Sequence, residues 1–362
     1  MSGFFGMMFP GGGSGGLSPV TPSTYVAFGG TTSTKRVSVY PWNSSTGFGS
    51  VYTTPSIPGD VRNTSFVRDN SNFSCSFLGS PSFYVWQWST LGFGTQYSNP
   101  SDLIGFYSGY VWTNNVDAVI TARTSNPTLT KAWAWNPASG FGTKYSDGPT
   151  LSSVGDTAGV TINGDNTLLA FQSASGAAVP GPVVSVIPWS SVSGFGTKFT
   201  NPYSPAVGGS YGPSVTFNLV TNDLIVGGVA TSPFIYAYAI NPTGFGVRYS
   251  SPSTPVGGTV YSAKFSPDGS AVAVGSNAAG SPLKVYRWGA GFGSLYSSPS
   301  STLAAQSVDW SSTGTEIIKA EKSASPFTKA WAWTSSGFGT QFSSPVTVPG
   351  VPNSVNFSNQ SR

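Results

Sequence analysis

Side chains able to do acid–base, nucleophilic or metal chemistry are scarce in this chain. It has no histidine. That removes Ser-His and Cys-His catalysis, imidazole-bound metals and the usual general base near neutral pH. Cys75 is the single cysteine, so no intrachain disulfide can form. It sits in Phe73-Ser74-Cys75-Ser76-Phe77, an alternating pattern that reads as a small strand residue and not as a nucleophile. The only glutamates are Glu316 and Glu321. Asp69, Asp165, Asp223 and Asp268 recur at one kind of turn, where aspartate is favoured by bonds to its own backbone. A glycosidase needs two facing carboxylates, and no such pair stands out. No aspartate-rich calcium loop is present. The residues therefore predict no catalytic set, no metal, no cofactor and no enzyme.

The elements that would position any site are far more legible. Gly-Phe-Gly occurs seven times, centred on Phe48, Phe93, Phe141, Phe195, Phe245, Phe292 and Phe338, at intervals of 45 to 54 residues. Such spacing marks a repeat architecture, most often a propeller of four-stranded blades. The sixth repeat shows the unit. Val260–Phe265 alternates as an inner strand, a. Ser266-Pro267-Asp268-Gly269 is a tight turn. Ala271–Gly275 is strand b, and Leu283–Trp288 is strand c. Gly291-Phe292-Gly293 then turns into strand d at Ser294–Ser297. Strand c ends in an aromatic pair two residues apart, such as Trp86/Trp88 and Trp133/Trp135, so both rings share one face. Pro41 and Pro188 interrupt this pair in two repeats and predict a bulge or lost pairing there. An aromatic follows each Gly-Phe-Gly, from Tyr52 to Phe342. Its recurrence reads as core, with the Phe of the motif filling a gap between blades.

The two ends complement each other. The first repeat lacks strand a and begins at strand b, Tyr25–Phe28. After the seventh repeat, Asn353–Ser358 supplies an extra strand a. The fold is therefore expected to be all-β: a seven-bladed propeller of four-stranded antiparallel blades, closed by the C-terminal strand pairing into the N-terminal blade. Closure removes two exposed edges. Residues 23–362 form the propeller, and residues 1–22 lie outside it as a Gly-rich arm.

Composition narrows the partners. Only 8% of residues are charged, although the net charge is +4. The cations form no run, which argues against nucleic acid. No segment reads as a membrane span or secretory leader. The arm carries Phe4, Phe5, Met7, Met8 and Phe9 ahead of Gly11–Gly16. An exposed apolar cluster on a flexible tether is expected to dock into a partner protein; the alternative is that it folds back onto the propeller. Tyr107, Tyr110, Tyr203 and Tyr211 fall in the d–a segments, where they either anchor loops or stack on a glycan.

Across residues 24–358 the pattern resembles the WD40-like propellers, most closely at Phe265–Val274. It lacks that family's Trp-Asp dipeptide and its histidine. The abundance of Gly, Ser and Thr, the low charge and the apolar arm resemble propeller-shaped virion proteins of tailed bacteriophages. That resemblance implies a non-enzymatic structural protein of a phage particle, located in the virion and tethered to its capsid, neck or tail proteins. The alternative is a glycan- or receptor-binding propeller on the virion or cell surface.

Overall fold

The structure, a computed structural model, describes residues 24–31, 36–103, 107–123, 130–151, 156–174, 184–200, 214–227, 232–278, 280, 282–299, 303–322, 325–345, 348 and 350–358. The arm and its five apolar residues lie outside them. The strands build seven antiparallel sheets of four, each in the order a-b-c-d. Strand a of each blade touches strand a of the next, around a closed ring.

Closure takes the expected form. Strand a of blade 1 is Val351–Phe357, and it pairs antiparallel with strand b, Thr24–Thr31. Val26 faces Phe357, and Phe28 faces Val355. Ser358 Oγ accepts the Tyr25 N–H at 2.7 Å. The last described strand thus completes the first blade.

The Gly-Phe-Gly motif has a different role from the one its sequence suggests. It opens strand d and does not precede it: in blade 6, strand d is Gly291–Leu295. Only the first glycine of each motif has a positive φ, as at Gly140 (φ 88°) and Gly337 (φ 116°). The Phe packs within its own blade, edge-on to the second aromatic of strand c in every blade but the fifth, where Ile240 stands there and Phe245 packs on Tyr238. Phe93 and Trp88, for example, lie 5.0 Å apart. The gap between blades is filled instead by the aromatic after the motif. Tyr52 of blade 1 packs on Trp88 of blade 2 at 5.1 Å, and Tyr97 of blade 2 packs on Trp135 of blade 3 at 4.9 Å. Each of these rings lies against the first glycine of the next blade. A Cβ there would meet Tyr52 from Gly92, Tyr97 from Gly140, and Phe342 from Gly47. Glycine is required twice over, by the turn and by the neighbouring ring.

The proline expectation holds on one side of the strand only. Strand c of blade 1, Val37–Asn43, pairs with strand b straight through Pro41. On its other edge the missing N–H shortens strand d to Gly47–Phe48. Pro188 does the same to Gly194–Phe195, whereas the other five blades have five-residue d strands. Burial between blades drives the assembly. Trp133, Trp310, Tyr238, Tyr286 and Phe171 are all nearly or fully buried, and each such side chain contributes roughly 1.5–3 kcal/mol.

Candidate site in the central channel

Strand a has its inner edge free, so the channel is where side chains of all seven blades converge. The residue before the last in each strand a is Ser65, Val111, Thr161, Thr216, Lys264, Asp309 and Asn356. All seven line one cavity of about 200 Å³. Just beyond them, in the a–b turns, Arg68, Asn114, Leu219, Pro267 and Ser312 line its rim. Alternation explains the arrangement. The next residue of each strand also borders the cavity, but Phe66, Trp112, Phe265, Trp310 and Phe357 are almost wholly buried in the packing between blades.

Neighbouring a strands satisfy one another's free backbone groups, as a buried edge requires. Ser262 Oγ accepts Val308 N–H at 3.2 Å, and Ser307 Oγ accepts Val355 N–H at 3.2 Å. Asp309 Oδ2 accepts Phe357 N–H at 2.7 Å. Asn356 Nδ2 donates to Thr64 O at 2.6 Å. The closing strand is therefore pinned to blade 7 on one side and blade 2 on the other. The rim is stitched in the same way. Arg68 Nη1 donates to Asn114 O at 3.4 Å, Asn114 Nδ2 to Asn163 O at 2.9 Å, and Asn218 Nδ2 to Gly269 O at 3.0 Å.

Among the described residues, three charged ones line the cavity: Arg68, Lys264 and Asp309. Asp309 is 1% exposed and holds the closing strand. Lys264 is half-buried. Its carbonyl accepts the Trp310 indole N–H at 3.0 Å. Among the described residues no hydrogen bond or ion pair ties its ammonium. The site is thus a small polar well with one uncommitted ammonium, a guanidinium at the lip, and hydroxyl and amide groups around the wall. It can orient a polyhydroxylated molecule and polarise a carbonyl.

Of the described residues singled out by sequence, Tyr110 alone borders the cavity. Tyr107 begins strand a of blade 3, Tyr107–Trp112; its side chain is outside the described set, as are Tyr203 and Tyr211. Tyr110 is 4% exposed, packs on Phe83 at 4.6 Å, and donates to Ser74 O at 2.8 Å. Burial raises its pKa well above the ordinary phenol value. It anchors blade 3 to blade 2 through these contacts. Asp69, Asp165 and Asp268 bind Ser71, Thr167 and Ser270 of their own turns. Asp223 does more. It is 4% exposed and accepts from Trp288 Nε1 at 3.0 Å and Tyr249 OH at 2.7 Å, joining blades 5 and 6. Glu316 and Glu321 are buried in strand b of blade 7, away from the cavity. Glu321 pairs with Lys319 at 2.6 Å, and burial pulls the Lys319 pKa below its usual value. The Cys75 thiol is fully buried, which pushes its pKa up and leaves it inert. Among the described residues no three His, Cys, Asp or Glu side chains are grouped to hold a metal, and no helix is long and apolar enough to cross a membrane.

Sequence reasoning missed Lys264, Asp309 and Arg68. The usable signal was positional. Aligning the seven repeats on the end of strand a brings Lys264, Asp309 and Asn356 into one register.

No protein-family model matches the chain, and no curated protein matches it. Its likenesses are to solved structures. A putative 6-phosphogluconolactonase from Bacteroides fragilis superposes with a TM-score of 0.66 at 12% identity, over 94% of this chain and 99% of that one. The periplasmic gluconolactonase of Pseudomonas aeruginosa superposes with a TM-score of 0.65 at 13% identity, over 93% and 99%. The Cps50 (Swd1) propeller domain of Myceliophteria thermophila gives 0.58 at 10%, over 81% and 89%. At these identities the likeness is one of fold, and it upholds the WD40-like propeller. It also corrects two expectations: that the chain is a non-enzymatic structural protein of a phage particle, with glycan or receptor binding as the alternative, and that it is no enzyme. The neighbours named for a function include bacterial lactonases, and no virion component is among the structures named here. The phage likeness rests on composition, which specifies neither a fold nor a site. The expectation against an enzyme rests on missing residue types alone. With the lactonases the chain shares a bladed frame, and here its inner strands surround one polar channel.

Proposed function

We propose that this propeller hydrolyses lactones of sugar type in its central channel. The observation that carries the reading is the ring at the penultimate position of strand a, with the Lys264 ammonium, unpaired among the described residues, set among Ser65, Thr161, Thr216 and Asn356 around a cavity of about 200 Å³. The matches to propellers named as gluconolactonase and 6-phosphogluconolactonase support it. In this reading the hydroxyl and amide groups hold the sugar hydroxyls, and Lys264 faces the ring carbonyl. Water or hydroxide adds to the carbonyl carbon, and the oxyanion forms against the ammonium. The ring C–O bond then breaks, the departing alkoxide takes a proton from solvent, and the product is a hydroxy acid. A fixed positive donor at the developing oxyanion lowers the barrier, and this needs no histidine.

The test is lactone hydrolysis followed by acid release at constant pH, using D-glucono-1,5-lactone and its 6-phosphate. The wild type is expected to exceed spontaneous hydrolysis, and Lys264→Met to lose about 10²-fold, the usual effect of removing one oxyanion donor. A wild-type rate equal to the spontaneous one, or full activity in Lys264→Met, overturns the reading.

A further inference from the structure

We propose that the molecule taken by this channel is anionic, a sugar acid or sugar phosphate whose carboxyl end lies at Lys264 and whose phosphate, where it has one, lies towards Arg68 at the rim. The inference rests on the lactone reading for the sugar part and on charge for the rest. Both cations line the same cavity at its a–b end. The carboxylate that lines it, Asp309, is turned into the wall and holds the Phe357 N–H. The other carboxylates of that end are occupied outside the cavity. Asp69, Asp165 and Asp268 bind Ser71, Thr167 and Ser270 on exposed turns, Asp117 binds Thr113, Glu316 accepts from Thr315 Oγ1, and Asp223 binds Trp288 and Tyr249. None of them lines the cavity. Those on the exposed turns are screened by salt within about 8 Å at physiological ionic strength. The well is therefore locally positive. A ligand entering it strips water from the Lys264 ammonium, and a neutral ligand offers no charge in return, which is costly for a buried ion. An anion replaces the lost hydration and gains a charge-assisted hydrogen bond.

The experiment measures binding apart from turnover, by calorimetry with D-gluconate, 6-phospho-D-gluconate and neutral D-glucitol. Both anions are expected to bind at least 10-fold more tightly than glucitol. Lys264→Met and Arg68→Met should each weaken the anions at least 5-fold and leave glucitol unchanged, while Lys264→Arg retains the preference. A far larger effect of Arg68→Met on phosphogluconate than on gluconate identifies a phosphate at the rim; equal effects identify a carboxylate. Raising salt from 50 to 500 mM should weaken the anions alone. Glucitol binding as tightly as the anions, or anion binding insensitive to both substitutions in folded protein, overturns the proposal even where lactone hydrolysis is found. Anion preference without hydrolysis upholds this proposal for the cavity and overturns the reaction.

Discussion

Replacing Gly140 by alanine should be one of the most damaging small changes in this protein. Two costs add. The residue has φ 88°, and an L-residue in that region costs about 1–2 kcal/mol. The new Cβ would also lie 2.8 Å from Cδ1 of Tyr97. That ring cannot withdraw: it is 9% exposed, packs edge-on to Trp135 at 4.9 Å, and its hydroxyl donates to Pro137 O. Forcing an atom into such a contact costs about 1–3 kcal/mol, so the sum is about 2–5 kcal/mol. Gly142, two residues on, supplies the control. It is exposed, has no positive φ, and a Cβ there would lie 3.4 Å from the Ala134 carbonyl oxygen. Gly142→Ala should change stability by about 1 kcal/mol or less, in the favourable direction if unfolded-chain entropy dominates. The assay is urea unfolding followed by tryptophan fluorescence, with both variants compared to wild type. Equal costs at the two glycines would refute the claim that the motif is kept by the neighbouring blade's aromatic ring.

Further outcomes follow from the same contacts. Deleting residues 351–362 removes strand a of blade 1 and uncovers Val26 and Phe28, which are fully buried; light scattering should show aggregation, and an unchanged melting curve would refute strand closure. Asp223→Ala strands the Trp288 and Tyr249 donors between blades and should cost about 3 kcal/mol, whereas Asp165→Ala, at an exposed turn, should cost about 1 kcal/mol or less. Burial pushes the Tyr40 and Tyr249 phenols up to about 12. Their neutral forms are favoured by folding, so this contribution is whole below pH 10 and is lost as pH rises towards 12; stability that rises with pH between 10 and 12 would contradict it. The proposed hydrolysis, with no imidazole base, should speed up with rising pH across 6–9 after the spontaneous rate is subtracted, and a bell-shaped profile centred near 7 would point to a titrating base that the channel does not show.

The blades were legible because each repeat states its own structure. Alternation over Val260–Phe265, the Pro-Asp-Gly turn and the paired rings of strand c are local signals, and the observed strands begin where these signals begin. The missing strand at one end and the spare strand at the other are also local facts, and joining them needs only the rule against open edges. The error over Gly-Phe-Gly has a plain cause. Two aromatics recur in every repeat, the Phe of the motif and the ring after it, and sequence does not show which stays in its own blade and which reaches the next. Phe93 stays on Trp88, and Tyr97 crosses to Trp135 and lies against Gly140.

The channel was illegible for a different reason. Its ring takes one residue from each blade, from Ser65 to Asn356, and no two are near in sequence. Inside its own strand each looks ordinary: Lys264 is a polar residue in an alternating run, and Asp309 sits between Val308 and Trp310. A search for catalytic pairs by residue type passes over them, because the pairing exists only once the ring is closed. Closure is itself part of the site. Asn356 lies on the strand that closes the ring, and Asp309 holds the next residue of that strand through its backbone N–H. The step that stabilises the fold is thus the step that completes the wall of the well. Loosening the Asp309 contact, by Asp309→Asn for example, should disturb ligand binding before it unfolds the propeller. Strand b of blade 1 still holds the closing strand along its other edge, so what moves first is the part that faces the channel.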